Sequence, residues 1–268
     1  MSLIFLFIIG LAVGSFLNEL IDRLPNNRSI MGRSHCDFCK KTLEGIDLIP
    51  VVSFLMFKGR CRRCKKKLSI KYPLIELLTA ITFVLVWLYI PTLPIIAGTP
   101  QTLGTPGFVI LSLHILYLGI FSCLIAIFFA DLKYQIIPDQ LQIALLVFSF
   151  LAVSLGSVFT FQAVLSQVIM GFGVMAFLLL IYLVTRGRGM GFGDVKLSFI
   201  MGYLLGLDGG YIAMAFAFIF GSLIGVWLLI SRKKNLESAI AFGPFLVLGI
   251  IFALFAKEAV LAYIHTIL

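Results

Sequence analysis

Long runs of apolar residues alternate with short polar segments along almost the whole chain. A helix needs about 20 mostly apolar residues to cross about 30 Å of hydrocarbon, whereas a membrane β-strand would alternate apolar and polar positions. The uninterrupted runs therefore predict an all-α polytopic membrane protein with about eight transmembrane helices. The predicted spans are residues 3–20, 73–90, 108–130, 140–155, 161–184, 195–207, 211–231 and 240–256.

The composition agrees with a chain whose solvent is the bilayer. Of the 268 residues, 61% are hydrophobic and only 12% are charged. This leaves too little polar surface for a soluble domain of this length. The first run lacks a basic leading segment and continues directly into a polar stretch, so we expect a permanent helix rather than a removable signal peptide.

The distribution of basic residues predicts the orientation of the chain. The loops after the second, fourth and sixth spans, at residues 91–107, 156–160 and 208–210, contain no Lys or Arg, whereas the loops between them contain basic residues. Because cytoplasmic loops are enriched in Lys and Arg, we expect the N-terminus outside and the basic loops inside. The net charge of +9 collects mainly in residues 23–71. The enrichment of basic residues in cytoplasmic loops and their attraction to anionic lipid headgroups explain this positive charge, so we expect no nucleic-acid partner.

Two C-x-x-C pairs, Cys36 with Cys39 and Cys61 with Cys64, lie in the polar segment after the first span. Each pair can bind one tetrahedral ion through two thiolates, and together they supply four ligands at about 2.3 Å. Two disulfides are the alternative, but the predicted cytoplasmic position disfavours them. Four cysteines leave no open position for water, so the pattern predicts a structural zinc or zinc-like site in a small zinc-ribbon-like loop domain.

These features divide the chain into three predicted parts. Residues 1–22 form the first transmembrane helix, residues 23–72 form a cytoplasmic cysteine-containing domain, and residues 73–268 form a transmembrane core.

Two acids at the membrane edge are candidates for chemistry. Asp131 ends the third predicted span and Asp194 begins the sixth, and the predicted topology places both at the cytoplasmic face. Acids in this position are costly and are functional candidates by default. Two carboxyl groups in close contact do not both ionise readily. The ionised one could take a proton from water while the neutral one donates to a carbonyl oxygen, which is aspartic-protease chemistry without a metal.

Asp194 closes a glycine-rich stretch, GMGFGD. Because Gly189, Gly191 and Gly193 have no Cβ, we expect unusual backbone dihedrals and the close approach of an extended substrate strand. The alternative is an ordinary loop in which Asp194 is a helix N-cap.

Other acids have simpler alternative interpretations. Asp139 follows Pro138 and precedes a helix, which is typical of an N-cap. Glu76 lies one turn into the second span, where it either stabilises the helix start through the helix dipole or faces a site. Glu19 and Asp22 lie at the end of the first span, where we expect an interfacial role.

An ordered set of motifs resembles one family of proteins. The stretch from Gly191 to Lys196 resembles the G-x-G-D motif of intramembrane aspartyl proteases, a group that includes presenilin-like enzymes and type IV prepilin peptidases. Further motifs that resemble the prepilin peptidases are GSFLN at 14–18 with RLP at 23–25, the paired cysteines, YPLIELLT at 72–79, and Asp131 with IPD at 137–139. The resemblance extends from Gly14 to about Gly243-Pro244.

The resemblance implies a bifunctional enzyme of the bacterial cytoplasmic (inner) membrane. Its expected partners are membrane lipids and the prepilins and pseudopilins whose basic leader it would remove at the cytoplasmic face. It would then methylate the new amino group with S-adenosylmethionine as methyl donor. The family pattern assigns the methyltransferase to the cysteine domain and the peptidase to the transmembrane core.

The family pattern also assigns site residues. Catalysis maps to Asp131 and Asp194. Metal binding belongs to the four cysteines already named. We assign substrate binding to Gly191, Gly193, Lys196, Asp139 and Glu76. Glu19 and Asp22 depart from the family's first signature, which continues with apolar residues; they face either the basic leader or lipid headgroups.

Two other classes of protein compete with the protease. In a transporter or channel the membrane acids would carry protons or cations, and inverted repeats, which the sequence does not display, would favour it. In a zinc-ribbon membrane scaffold, changes in the cysteine loop would matter and changes of the aspartates would not.

Overall fold

The structure is a computed structural model that describes residues 2–36, 38–89, 107–156, 161–231 and 241–267. The contacts divide the chain into two units, Met1–Tyr89 and Ile90–Leu268. The predicted loops 91–107 and 156–160 lie outside the described residues apart from Gly107 and Gly156, and so does the basic segment 232–234.

The N-terminal unit contains two long helices that pack against each other and one short helix. They are α1 (Leu3–Arg23), α2 (Val52–Met56) and α3 (Lys71–Tyr89). A Cβ on Gly10 would lie 2.5 Å from Cα of Ala80, and a Cβ on Gly14 would lie 2.6 Å from Cα of Glu76. These glycines are four residues apart on one face of α1, so they let the two backbones approach closely, as small residues do between membrane helices.

The segment between α1 and α3 has little regular structure. It contains two short 3-10 turns, helix α2 and two isolated antiparallel β-bridges, His35 with Thr42 and Arg60 with Lys67. Among the described residues the fold is otherwise helical, which confirms the predicted all-α class with a small cysteine-containing loop domain.

The C-terminal unit is a bundle of long helices. They are α4 (Gly107–Tyr134), α5 (Asp139–Gly156), α6 (Phe161–Val184), α7 (Phe192–Ile230) and α8 (Gly243–Ile267). Helix α7 packs against α5, α6 and α8, and α4 packs against α5 and α8. The large apolar side chains of Phe161 and Ile230 are 81% and 77% exposed, which suits a surface that faces lipid rather than water.

Helix α7 is interrupted at Gly206. Its 39 residues would extend about 58 Å at 1.5 Å per residue, roughly twice the hydrocarbon thickness. Gly206 has φ 75° and ψ −178°, a backbone conformation that glycine adopts without steric cost. The predicted turn at residues 208–210 is therefore misplaced. Those residues are helical. Gly210 allows α7 to pack closely against α6, since a Cβ on it would lie 2.5 Å from Cγ2 of Val174.

Six helices among the described residues are long and apolar enough to cross a membrane. This confirms a polytopic protein. Helix α5 is apolar but shorter, and α7 counts as one of the six. The predicted total of eight requires α5 and both parts of α7 to cross, and it stays a prediction.

Candidate functional site

Asp131 lies in the last turn of α4 and is buried, with 5% of its surface exposed. The backbone N–H of Gly243, the first residue of α8, donates a hydrogen bond of 3.0 Å to its Oδ2 atom. The start of α8 therefore holds this carboxyl group against the end of α4.

Asp194 is the third residue of α7 and is also buried, with 7% of its surface exposed. Gly191 is the N-cap of the helix, and its backbone N–H donates to the Asp194 carboxyl group. This is one half of a capping box, in which a side chain at the third helical position binds the amide of the cap. The alternative in which Asp194 itself is the N-cap is therefore wrong.

The structure brings Asp131 and Asp194 into one site. The two carboxyl groups lie within electrostatic range of each other. The Ile137 side chain lies close to a glycine beside each aspartate. It is 3.0 Å from the Cβ position of Gly243, which binds Asp131, and 3.2 Å from that of Gly193, which precedes Asp194. Helices α4, α7 and α8 and the link between α4 and α5 thus meet at the pair.

The glycines beside Asp194 have ordinary backbone dihedrals, and their importance is the room that their missing side chains leave. Gly191 has φ −73° and ψ 146°, which is ordinary extended backbone, and neither Gly189 nor Gly193 has a positive φ. The expectation of unusual dihedrals at these glycines is therefore wrong. The residues with left-handed backbone in this part of the chain are Arg186 and Gly187. Gly193 has a different reason to lack a side chain, its close approach to Ile137.

Lys196 and Asp139 form an ion pair of 2.6 Å between α7 and α5. Their side chains are 39% and 64% exposed. Asp139 is the first residue of α5, so its carboxylate also benefits from the positive end of that helix. The structure thus pairs two of the predicted substrate-binding residues with each other, at the solvent-accessible edge of the C-terminal unit.

Sequence reasoning missed two residues of this site. Gly243 was recognised only as the end of the family resemblance, yet it binds Asp131. Gln142 is 4% exposed, neither atom of its amide has a hydrogen-bond partner among the described residues, and Nε2 lies 3.6 Å from the Cβ position of Gly193. An uncharged side chain inside an apolar run gives no sequence signal of this position.

Glu76, the remaining predicted substrate residue, belongs to the N-terminal unit. It is 8% exposed on α3, and its Oε2 atom accepts a hydrogen bond of 2.7 Å from the backbone N–H of Val51. Val51 has φ 60°, a strained value for a β-branched residue. The Glu76 carboxylate therefore anchors the turn before α2 to the start of α3.

The four predicted metal ligands form one cluster. The sulfur atoms of Cys36, Cys39, Cys61 and Cys64 all lie within 4.8 Å of one another, and those of Cys36 and Cys64 are 3.9 Å apart. Four thiolates around a tetrahedral zinc ion at about 2.3 Å would be about 3.8 Å apart. The cluster fits such an ion with little adjustment.

The cluster is built from two copies of one backbone turn, 25 positions apart. In the first copy the N–H of Cys36 donates to Lys41 O at 3.0 Å and the N–H of Lys40 donates to Cys36 O at 2.9 Å. In the second copy Cys61, Lys66 and Lys65 make the same bonds at 2.9 and 3.0 Å. Lys40 and Lys65 have matching φ values of 56° and 58°. The repeated turn is a signal that sequence reasoning missed beyond the cysteines themselves.

The thiols of the cluster differ in acidity. Burial raises the pKa of the Cys36 thiol to about 11. Burial also opposes ionisation of Cys61, but hydrogen bonds from the backbone N–H groups of Cys64 and Arg63 outweigh it and lower its pKa to about 7. The N–H groups of the second turn thus favour a thiolate, the form that binds metal.

An acidic side chain braces the second turn. Glu44 forms ion pairs with Arg62 and Arg63, and Nε of Arg62 lies 3.3 Å from Oδ1 of Asp47. The hydrogen bond and charge of Arg62 lower the pKa of Glu44 and keep it ionised. This network joins the second cysteine turn to the 3-10 turn at Gly45–Leu48.

Comparison with known proteins divides the chain in a similar way. Residues 8–90 match the Bacterial Peptidase A24 N-terminal domain, and residues 118–226 match the Type IV leader peptidase family. No solved structure matches the chain.

Curated relatives match over nearly the whole chain. A prepilin leader peptidase/N-methyltransferase of Bacillus subtilis is 31% identical over 96% of this chain and 96% of its own length. A protein of the same name from Aeromonas salmonicida is 32% identical over 100% of this chain and 94% of its own length. One from Legionella pneumophila is 29% identical over 94% and 90%. One domain match contains the cysteine cluster, the other contains both aspartates, and the relatives align over nearly the whole chain, so the chain belongs to the type IV leader peptidase family.

Proposed function

We propose that this protein is a bifunctional membrane enzyme that cleaves the basic leader from prepilins and pseudopilins and methylates the new amino terminus. The observation that carries the peptidase half is the buried pair of carboxyl groups at Asp131 and Asp194. The names of the full-length relatives support both activities.

The aspartate pair suits hydrolysis of a peptide bond. Two neighbouring carboxyl groups can share one proton, so that one acts as base and the other as acid. The base takes a proton from water as its oxygen attacks the carbonyl carbon, and the acid protonates the carbonyl oxygen. The carbon–nitrogen bond then breaks and the leaving nitrogen receives a proton. The hydrogen bonds from Gly243 and Gly191 hold Asp131 and Asp194 in fixed orientations throughout.

The site lies where a prepilin could present its cleavage site. Asp131 is in the last turn of an apolar helix and Asp194 in the first turn of another. A substrate with a basic leader and an apolar helix would keep the helix in the bilayer and the scissile bond at its edge. Gly191 would lie against the substrate backbone, and Asp139 and Lys196 would contact the polar leader.

We place the protein in the bacterial inner membrane with eight spans and the N-terminus outside. The separation of basic from uncharged loops supports this orientation. The cysteine domain and the aspartate pair would both face the cytoplasm, where leaders of unprocessed pilins are found.

The cysteine cluster would hold a structural zinc ion in the methyltransferase domain. The four sulfur atoms supply the complete ligand set, and their spacing supports a tetrahedral ion. The ion would cross-link the two repeated turns, and residues 23–72 would otherwise have only a small apolar core.

Substitution of the aspartates tests the peptidase. Because general acid and base catalysis contribute about 10²–10⁴-fold each, Asp131→Asn and Asp194→Asn should lower prepilin cleavage by at least about 10²-fold. Asp208→Asn is the matched control, since Asp208 is an exposed acid of α7. Cleavage by purified protein in lipid is followed by mass spectrometry. Full cleavage by both aspartate variants would overturn the proposal and favour a scaffold, and a wild type that moves ions but cuts no prepilin would favour a transporter.

A further inference from the structure

The short helix α2 exposes apolar side chains along one side. Val52, Leu55 and Met56 are 47%, 69% and 60% exposed. Leu55 and Met56 follow Val52 by three and four positions, so the three side chains share one face of the helix. We call this surface the outer face of α2. The 3-10 turn before the helix and the residue after that turn add three more exposed apolar side chains, Ile46, Leu48 and Ile49.

The other side of α2 packs inside the N-terminal unit. Ser53, Phe54 and Phe57 are less exposed and line a cavity together with residues of α1 and α3. The Phe54 ring also lies 2.9 Å from the Cβ position of Gly59. Because these contacts fix the rotation of the helix, the outer face is a defined surface of the unit. Exposed apolar surfaces of this kind mark sites of interaction with another molecule or with a membrane.

A hydrogen bond fixes the level of α2 along α3. The backbone N–H of Val51, the N-cap of α2, donates to Oε2 of Glu76 at 2.7 Å. Glu76 lies about 7.5 Å along the axis from Lys71, the first residue of α3. Side chains on a helix lean toward its N-terminus, so α2 begins beside the first two turns of α3. Helix α3 is long and apolar enough to cross a membrane, which places this level at the edge of the bilayer.

The residues around α2 suit lipid as the partner of its outer face. Leu74 and Leu77, in the first two turns of α3, are exposed apolar side chains at a similar level. Lys58 and Arg60, which follow α2, are exposed and basic. Helices that lie in the membrane interface bury an apolar face about 5–10 Å deep, and their basic residues attract anionic lipid headgroups. The level of α2 and the charge beside it match this arrangement.

We propose that α2 lies in the plane of the membrane interface, with its outer face against the lipid acyl chains and with Lys58 and Arg60 toward anionic headgroups. The segment between α1 and α3 is then held at the bilayer by α2 as well as by the two long helices. Cys61 follows Met56 by only five residues. The second cysteine turn is therefore held close to the membrane surface.

Photochemical crosslinking identifies the molecule that the outer face contacts. p-Benzoylphenylalanine replaces Leu55 in the full chain, which is reconstituted in nanodiscs of phosphatidylcholine and phosphatidylglycerol and then irradiated. We expect adducts with phospholipid, seen as added lipid mass on the intact protein. The same replacement of Phe54, on the inner side of the helix, is the matched control and should crosslink within the chain instead.

A further replacement, of the exposed Leu77 in α3, is the positive control and sets the irradiation dose. At a dose that joins lipid to position 77, position 55 should react with lipid as well. A Leu55 replacement that reacts only with a second copy of the chain or with the C-terminal unit would overturn the proposal. So would one that forms no adduct at that dose.

A charged variant tests the same contact without a bulky probe. Leu55→Glu places a carboxylate on the outer face, where apolar chains exclude it and anionic headgroups repel it. Helix α2 should then leave the interface, and its backbone amides should meet water. Hydrogen exchange of residues 52–57 in nanodiscs, measured by mass spectrometry, should become about tenfold faster than in the wild type.

Met31→Glu is the matched control for this variant, because Met31 is an exposed apolar residue outside α2. It should leave the exchange of residues 52–57 unchanged. Exchange of the two cysteine turns, residues 36–41 and 61–66, should stay at the wild-type rate in both variants if the domain remains folded. A wild-type rate at residues 52–57 in Leu55→Glu would overturn the proposal.

Discussion

The backbone N–H of Gly243 donates a hydrogen bond of 3.0 Å to Oδ2 of Asp131, a residue 112 positions earlier in the chain. The first N–H groups of a helix have no partner within it. The bond therefore satisfies the start of α8 and orients a buried carboxyl group with one contact. A Cβ at position 243 would lie 2.8 Å from that oxygen and 3.0 Å from Cδ1 of Ile137, so the site has no room for a side chain there.

Gly243→Ala should disable the peptidase without unfolding the protein. The added methyl group has to displace either the Asp131 carboxyl group or Ile137, and a shift of about 1 Å in a catalytic group can cost about 10²-fold in rate. We expect kcat for prepilin cleavage to fall by that order. Gly221→Ala is the control, because its Cβ would lie 3.5 Å from Phe242 in ordinary contact. Wild-type kcat in Gly243→Ala would show that this contact is unimportant.

Asp131 and Asp194 could be predicted from the sequence, but the residues that surround them and hold them in place could not. Asp131 and Asp194 were recognisable because charged groups beside apolar runs are conspicuous and because GFGD is a known motif. Gly243 and Gln142 are themselves uncharged and stand among apolar residues, and their role follows only from contacts between helices distant in sequence. The interruption of α7 was misplaced for a related reason. The pair Gly209-Gly210 looks like a turn in sequence, yet Gly210 packs against Val174 and Gly206 carries the break.

The close crossing of α1 and α3 should depend on Gly14. Its Cβ would lie 2.6 Å from Cα of Glu76, a backbone atom that cannot rotate away. Gly14→Ala should therefore separate the helices and lower the free energy of unfolding by about 1–3 kcal/mol, as overpacking does. Denaturation in detergent measures the loss.

Gly45→Ala is the matched control for this crossing. The same methyl group at position 45 meets no atom within 4 Å, so its effect on stability should be small. Equal stability of the two variants would mean that the helices can separate without cost.

The ion pair between Asp139 and Lys196 should contribute little to stability. Both side chains are well exposed, and exposed pairs are worth about 0.2–1 kcal/mol. A double-mutant cycle with Asp139→Asn and Lys196→Met should give a coupling energy in that range, and salt should weaken it. A coupling of several kcal/mol would contradict this, and would mean that the pair is desolvated and holds α5 to α7.

Removal of metal should unfold the cysteine turns and spare the peptidase. The sulfur atoms of the cluster come from two separate turns, so an ion that joins them would supply much of their folding free energy. Cys61→Ser or a strong chelator should abolish bound zinc, measured by atomic emission, and expose residues 34–68 to protease.

Cys123→Ser is the control, since this buried fifth cysteine lies in α4 of the other unit. Prepilin cleavage should persist in both variants, because the two aspartates and the N–H groups that bind them all belong to the C-terminal unit. Unchanged zinc content in Cys61→Ser would remove the cluster as the metal site.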